Sequence, residues 1–388
     1  MDKNNLQPQK HPISGKKIAL FILYAAIAVC LLITVLSFND LPSIMKQMES
    51  VKFEYIILGA IMVLLYMALY PVSLCLLTKA RRCDIKMSTT YSIAMTEHFF
   101  NGITPLATGG QPFQAHSFSR AKVKISESTG LLLTNLLIYM VVTTGFSLTG
   151  LFFFDTLTEH IDSWWIPIII VGYSLNFFVM CMVFALGTSV KIRSGLMRCI
   201  RFFCKLRLFK RFEKKADALQ GYFENVQASF KDLMHHKRIF LLALISKILS
   251  FAFLYSSSFF ILLAMGIPVE IKEWFMIIAG TSFAITAVGF IPTPGASGGV
   301  EGSAGQVFKS IIINVVGMSI APVAAATANG VMLIWRLLSY YFVMLVSLLF
   351  VIILEIYFNK KARAARLALL LEQAELENSS GEDDYEIE

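Results

Sequence analysis

Asn101-Gly-Ile-Thr-Pro-Leu-Ala-Thr-Gly-Gly-Gln-Pro112 and Phe290-Ile-Pro-Thr-Pro-Gly-Ala-Ser-Gly-Gly-Val-Glu301 each interrupt a long apolar region. The first region runs from about Tyr91 to Phe118, the second from Trp274 to Val316. Crossing a bilayer takes ~20 apolar residues in one helix. Neither region is an unbroken helix, because proline removes a backbone donor and clashes with the preceding turn. Unpaired backbone groups in hydrocarbon cost several kcal/mol each, so irregular chain at membrane depth must be buried in protein or line a wet cavity. The interruptions also rhyme, Ile103-Thr-Pro-Leu-Ala-Thr-Gly-Gly110 against Pro292-Thr-Pro-Gly-Ala-Ser-Gly-Gly299. A paired Gly/Pro break in each half of a membrane protein points to a transporter binding site.

The rest of the chain supports a membrane setting. Of 388 residues, 56% are hydrophobic and 15% charged, and the mean hydropathy is +0.66; soluble domains sit near ~45–50% and ~25%. Uninterrupted spans are expected at Ile18–Phe38, Phe53–Leu77, Gly130–Phe154, Trp164–Leu186, Ile239–Met265 and Leu337–Tyr357, with a short apolar piece at Pro322–Leu333. The fold class is therefore an all-α polytopic transmembrane bundle with two oppositely oriented re-entrant or broken-helix segments. Lys16 and Lys17 precede the first run, but at ~20 residues it exceeds a signal peptide's ~7–15, so it reads as an uncleaved helix.

Basic residues cluster at Lys16-Lys17, Lys79–Lys86, Lys191–Arg238 and Lys360–Arg366, whereas Asp155, Glu159 and Asp162 follow the third span. The positive-inside rule then places both termini and the central loop in the cytoplasm, and the expected location is a bacterial cytoplasmic membrane. This divides the chain into a tail (1–17), an N-terminal membrane half (18–190), a basic loop (191–238), a C-terminal membrane half (239–358) and a tail with an acidic end (359–388). The first broken segment enters and leaves on the cytoplasmic side, and the second on the outer side. The loop interleaves apolar and basic residues, as in Cys199-Ile-Arg-Phe-Phe-Cys-Lys-Leu-Arg-Leu-Phe-Lys-Arg-Phe212. It reads either as an amphipathic helix on anionic lipid headgroups or as an ordinary solvated loop. The charge pattern points to membrane orientation, not to nucleic acid. In the tail, Ala364–Leu376 is expected to be helical and the end from Glu382 disordered.

Candidate site residues gather at the breaks. Pro105, Gly109, Gly110 and Pro112 in the first, with Pro292, Pro294, Gly295, Gly298, Gly299 and Gly302 in the second, would bend the backbone and free N–H groups for an anionic headgroup. The alternative is close packing, since Gly295/Gly299 and Gly298/Gly302 have small-xxx-small spacing; packing alone does not require the prolines. Glu97, Glu301 and Arg336 would supply charge, and Asn101, Thr104, Thr108, Gln111, Thr293 and Ser297 hydrogen bonds. A charge at mid-membrane costs at least ~2.5–3.5 kcal/mol, so such groups face the interior and find partners. Glu301 alternatively sits at headgroup level, and Arg336 alternatively snorkels. Lys247 is expected to snorkel at the interface and His98 to hold a satisfied polar contact. The six cysteines form no CxxC or Cys/His ligand pattern, so no disulfide, metal or cofactor is expected. No HExxH, P-loop, GxSxG or GxGxxG-after-strand pattern indicates a catalytic domain.

Thr96-Glu-His-Phe-Phe-Asn101 leading into the first break, Phe290 to Gly302, and Trp335-Arg336 together resemble the lysylphosphatidylglycerol synthase transmembrane-region family, also called flippase-like membrane proteins. The resemblance runs from roughly Lys16 to Tyr357. It implies a domain that moves aminoacylated phospholipid between leaflets. In full-length synthases a separate C-terminal soluble domain transfers lysine from lysyl-tRNA to phosphatidylglycerol; here the expectation is that this domain is missing. Three readings follow. One is a lipid flippase-like transporter. A second is a component of lysylphosphatidylglycerol synthesis conferring cationic-peptide resistance, with a partner transferase. The third is a membrane docking subunit for a glycosyltransferase. Membrane phospholipids are the expected partners, and self-association as a homo-oligomer is compatible with all three.

Overall fold

The structure, a computed structural model, describes residues 51–204, 216–317 and 321–382. The expected first span, Ile18–Phe38, lies outside the described residues, as does the chain from residue 383 onward.

Pro71 interrupts the first described helix, giving α1 (Phe53–Leu69) and α2 (Val72–Ala80). With no N–H on Pro71, the Met67 carbonyl loses its helical donor; the Tyr91 hydroxyl donates to it and to Ala68 O, both at 3.3 Å. The first broken region is α3 (Met87–Ile103) and α4 (Gly110–Arg120). Then come α5 (Ile125–Thr149), a short α6 (Phe154–Thr158) and α7 (Trp165–Thr188). The central basic segment carries two helices, α8 (Val190–Cys204) and α9 (Ala216–His235). Next is α10 (Lys237–Ala264), and the second broken region is α11 (Trp274–Val288) and α12 (Gly299–Val316). Last are α13 (Ala321–Arg336), a π-helical stretch Leu337–Phe342, and α14 (Val343–Glu382).

Six helical stretches among the described residues are long and apolar enough to cross a membrane. One of them, Ile271–Val288, is the first half of the second broken region. The tail helix is longer than expected, since α14 continues from the membrane segment to Glu382 without a break.

The architecture repeats. Aligning Pro105 with Pro294 brings α1–α2 onto α10, α3 onto α11, α4 onto α12 and α5 onto α13. α1 and α10 pack closely together and run antiparallel, because the Lys52 N–H before α1 bonds Ala264 O at the end of α10 at 3.0 Å. The repeats are thus inverted with respect to each other. Small and hydroxyl residues bring the two helices close: Gly59 faces Ile261 and Ser257, and Ser250 donates to Tyr66 O at 3.3 Å, as membrane helices without a hydrophobic drive between them require. α11 is the most enclosed span, packed against α5, α7, α10 and α12. α14 lies along α3.

Candidate functional site

Both breaks are built the same way. α3 stops at Ile103 because Pro105 supplies no donor. Leu106 and Ala107 then adopt φ of +56° and +52°, matched in the second break by Gly295 at +60° and Ala296 at +51°. Non-glycine residues rarely occupy this left-handed region, and strain of about 1–3 kcal/mol each persists where surrounding structure holds it. The same turn hydrogen bonds recur: Ala107 N to Thr104 O and Ala296 N to Thr293 O, then Thr108 N to Pro105 O and Ser297 N to Pro294 O. The Thr108 hydroxyl donates to Pro105 O at 3.0 Å, and the Ser297 hydroxyl to Pro294 O at 2.8 Å. Each turn feeds a helix that starts on the second glycine of its pair, Gly110 and Gly299.

The two turns meet. Pro105 and Pro294 form an isolated antiparallel bridge. Neither proline has an N–H, so the pairing runs through the flanking residues. An antiparallel bridge between equivalent positions has a local two-fold axis, which is the symmetry inverted repeats require.

Charge breaks that symmetry. Glu301, in the first turn of α12, accepts from Gly298 N at 2.7 Å and from Arg336 Nε at 2.8 Å. Arg336 also donates through Nη2 to Gly295 O at 3.0 Å, and its guanidinium lies 4.2 Å from the centre of the Tyr340 ring. The Tyr340 hydroxyl crosses to the other repeat and donates to Gly102 O at 2.8 Å. The Arg336 and Glu301 side chains are 5% and 12% exposed, so neither snorkels to the protein surface. Buried ion pairs of this kind add little net stability, so stability alone gives no reason to keep one. Arg336 ends α13 where the π-helical stretch begins, and π-bulges concentrate at functional sites.

The first break carries a second charged group. Glu97 is buried. It accepts from Gln114 Nε2 at 3.4 Å and from Asn101 Nδ2 at 3.5 Å. Asn101 Oδ1 in turn accepts from Gly110 N at 2.9 Å, closing the break. Opposite, Lys247 is fully buried rather than at the interface; its Nζ donates to Tyr70 O at 3.1 Å and lies 3.0 Å from the Tyr70 ring centre. The Tyr70 carbonyl and ring, at the turn between α1 and α2, give the ammonium a seat that snorkelling would forgo. His98 rests against the Tyr70 and Tyr66 rings, at 4.3 and 5.5 Å. Its Nε2 is buried without a hydrogen-bond partner among the described residues, contrary to the satisfied contact expected.

The breaks therefore gather most of the residues singled out in the sequence. Thr104, Thr108, Thr293 and Ser297 direct their hydroxyl protons to backbone carbonyls and shape the turns. Thr104 Oγ1 additionally accepts from Gly109 N at 2.9 Å. Gln111 is half-buried and Pro112 exposed in the first turn of α4, where proline is tolerated; Pro292 is exposed, and Gly302 packs on Trp165. Gln114, Tyr340 and Ser347 were missed. A polar Gln inside an apolar segment was a usable signal for the first, whereas Tyr340 and Ser347 look like ordinary bundle residues until their neighbours are known.

These features define a class: a multi-pass α-helical membrane protein of two inverted repeats whose helix breaks pair at their tips. The chain belongs to the lysylphosphatidylglycerol synthase TM region family, whose model matches residues 18–347. No curated protein matches it.

Proposed function

We propose that the protein is a flippase-like transporter that moves a phospholipid headgroup between leaflets, with the acyl chains left in lipid. The observation that carries this reading is the pairing of two helix breaks of like geometry beside a buried Arg336–Glu301 pair. Inverted repeats with discontinuous helices provide alternating access around a site near mid-membrane. Arg336 suits a phosphate, because a guanidinium presents planar paired donors to its oxygens. In the protein as described, Glu301 and Gly295 O hold those donors. An incoming phosphate competes for them, and Tyr340 and Gly298 lie within the same set of contacts. The breaks enter from opposite faces as re-entrant hairpins, in a bacterial cytoplasmic membrane with both termini inside. Lysylphosphatidylglycerol, the lipid in the family's description, is one substrate to include among anionic and zwitterionic lipids.

The test is a leaflet-specific assay with fluorescent phospholipids in proteoliposomes. Lipid movement above that in empty vesicles is expected, and its absence for every headgroup overturns the reading. Arg336→Gln should slow movement by about ten- to hundredfold, as expected for losing a charged hydrogen bond. Because that variant leaves Glu301 buried without its partner, the double variant Glu301→Gln/Arg336→Gln serves as a folded comparison and should be equally slow.

A further inference from the structure

The Glu97 cluster plays no direct part in holding the phosphate, and its composition suggests another ligand. Beside Glu97 on α3, His98 rests on Tyr66 and Tyr70 from α1 and its end, and the buried Lys247 of α10 lies over the Tyr70 ring. Tyr139 of α5 and Tyr255 of α10 join the cluster through the Phe251 ring, which also meets Tyr66. Gln114 and Asn101 complete the shell from α4 and α3. In the turn of α3 that carries Glu97, the Ser347 hydroxyl of α14 accepts from Phe99 N at 2.9 Å and donates to Met95 O at 2.5 Å, tying this turn to α14.

We infer that Glu97, backed by Lys247 and His98, is a proton-binding centre that couples transport of an anionic lipid to proton movement. The inference rests on the flippase reading and deepens it. Three observations carry it. The glutamate and the lysine are both buried, and ionisable groups at membrane depth are costly and mark function by default. A buried ring nitrogen next to them has no partner among the described residues. And the carboxylate is tied through Asn101 to Gly110 N, the first N–H of the half-helix beyond the break, so neutralising Glu97 alters a contact that holds the tip.

Electrostatic balance gives the coupling its direction. Glu97 and Lys247 as carboxylate and ammonium sum to zero. An anionic headgroup entering the bundle at Arg336 adds a negative charge that a low-dielectric interior tolerates poorly. A proton from water, forming an O–H bond on a Glu97 oxygen, restores the balance, and lipid and proton then bind as a neutral set. Each favours the other, as linkage demands. After reorientation the O–H bond breaks, its electron pair stays on the carboxylate, and the proton returns to water on the opposite side as the lipid leaves. Transport is therefore electroneutral for a singly charged lipid, with proton and lipid moving the same way. A zwitterionic lipid brings no net charge and needs no proton.

The test uses the full chain in proteoliposomes carrying a trapped pH dye, with a fluorescent phosphatidylglycerol in one set and a fluorescent phosphatidylcholine in the other. With an imposed gradient of one pH unit, phosphatidylglycerol should redistribute toward the alkaline side by up to about tenfold, the limit for one proton per lipid, with matching movement of protons. Phosphatidylcholine should show no such bias. Glu97→Gln should abolish the response to the gradient. Wild-type protein that moves phosphatidylglycerol identically with and without the gradient overturns the proton proposal and leaves the flippase reading standing. A gradient response of phosphatidylcholine equal to that of phosphatidylglycerol, or a full response in Glu97→Gln, overturns it as well. Wild-type protein that moves neither lipid overturns the flippase reading on which it rests.

Discussion

At the scale of single residues, the glycines of the breaks do different work, and the space around each decides what a methyl group would do. Gly295 has φ +60°, and a Cβ there would lie 2.3 Å from the Tyr340 hydroxyl. Alanine at this position is strained in its backbone and also displaces the ring that carries the Arg336 contact and reaches Gly102. Gly295→Ala should therefore lower thermal stability by roughly 1–3 kcal/mol and slow lipid movement. Gly145, one turn before the end of α5, is exposed and has none of the described residues within 4 Å of a built Cβ. Gly145→Ala should gain about 0.5–1 kcal/mol from helix propensity alone. A melting series in detergent checks both, and equal effects at the two positions would contradict the argument. The same contrast explains what was legible in the sequence. Gly295, Pro294 and Arg336 stood out because glycine, proline and charge are rare and costly in a membrane helix. The seat of Lys247 did not. It depends on the Tyr70 carbonyl and ring at the turn before Pro71, and on which helix happens to face them.

At the scale of elements, the boundaries of the spans follow from hydropathy, because the membrane requires a continuous run and punishes interruptions. What covers an amphipathic helix does not follow. The interleaved apolar and basic residues of Cys199–Phe212 suit lipid headgroups or a solvated loop, and from residue 205 that stretch lies outside the described residues. In the structure, the apolar side of α9 is against protein: Val226, Phe230 and Leu233 are buried, and Phe230 packs closely on Gly187 of α7. At its far end Asp232 holds Arg81, at 2.5 Å, and Arg81 also meets Glu127 at 3.3 Å. α9 is thus docked across the adjoining ends of α2, α5 and α7. Phe230→Ala should cost about 3–5 kcal/mol, the usual range for emptying a buried aromatic site. Asp232→Asn, at a half-exposed pair, should cost no more than ~1 kcal/mol. Thermal unfolding of the two variants in one detergent checks the order, and a larger loss from Asp232→Asn would show that charge, not packing, holds the helix.

At the scale of the whole molecule, one similarity of eight residues turns out to reflect an inverted repeat, and this has a mechanical consequence. The two tips touch at Pro105 and Pro294, so a headgroup passing between the repeats must part them, whereas one sliding along an outer surface need not. The contact can be locked. Residues paired across an antiparallel bridge have Cα atoms about 4.5–5.5 Å apart, inside the ~4.4–6.8 Å that a disulfide accepts. The pair Pro105→Cys/Pro294→Cys, in a background whose native cysteines are replaced, should cross-link under mild oxidant. Each single variant should not form this link within the chain. Removing the prolines restores an N–H at each tip, so the reduced pair is its own control for any change in the turns. Oxidation should then stop lipid movement, and reduction should restore it. A cross-linked protein that still moves lipid at the reduced rate would place the path elsewhere, because a covalent bond between the tips leaves the inner route no way to open.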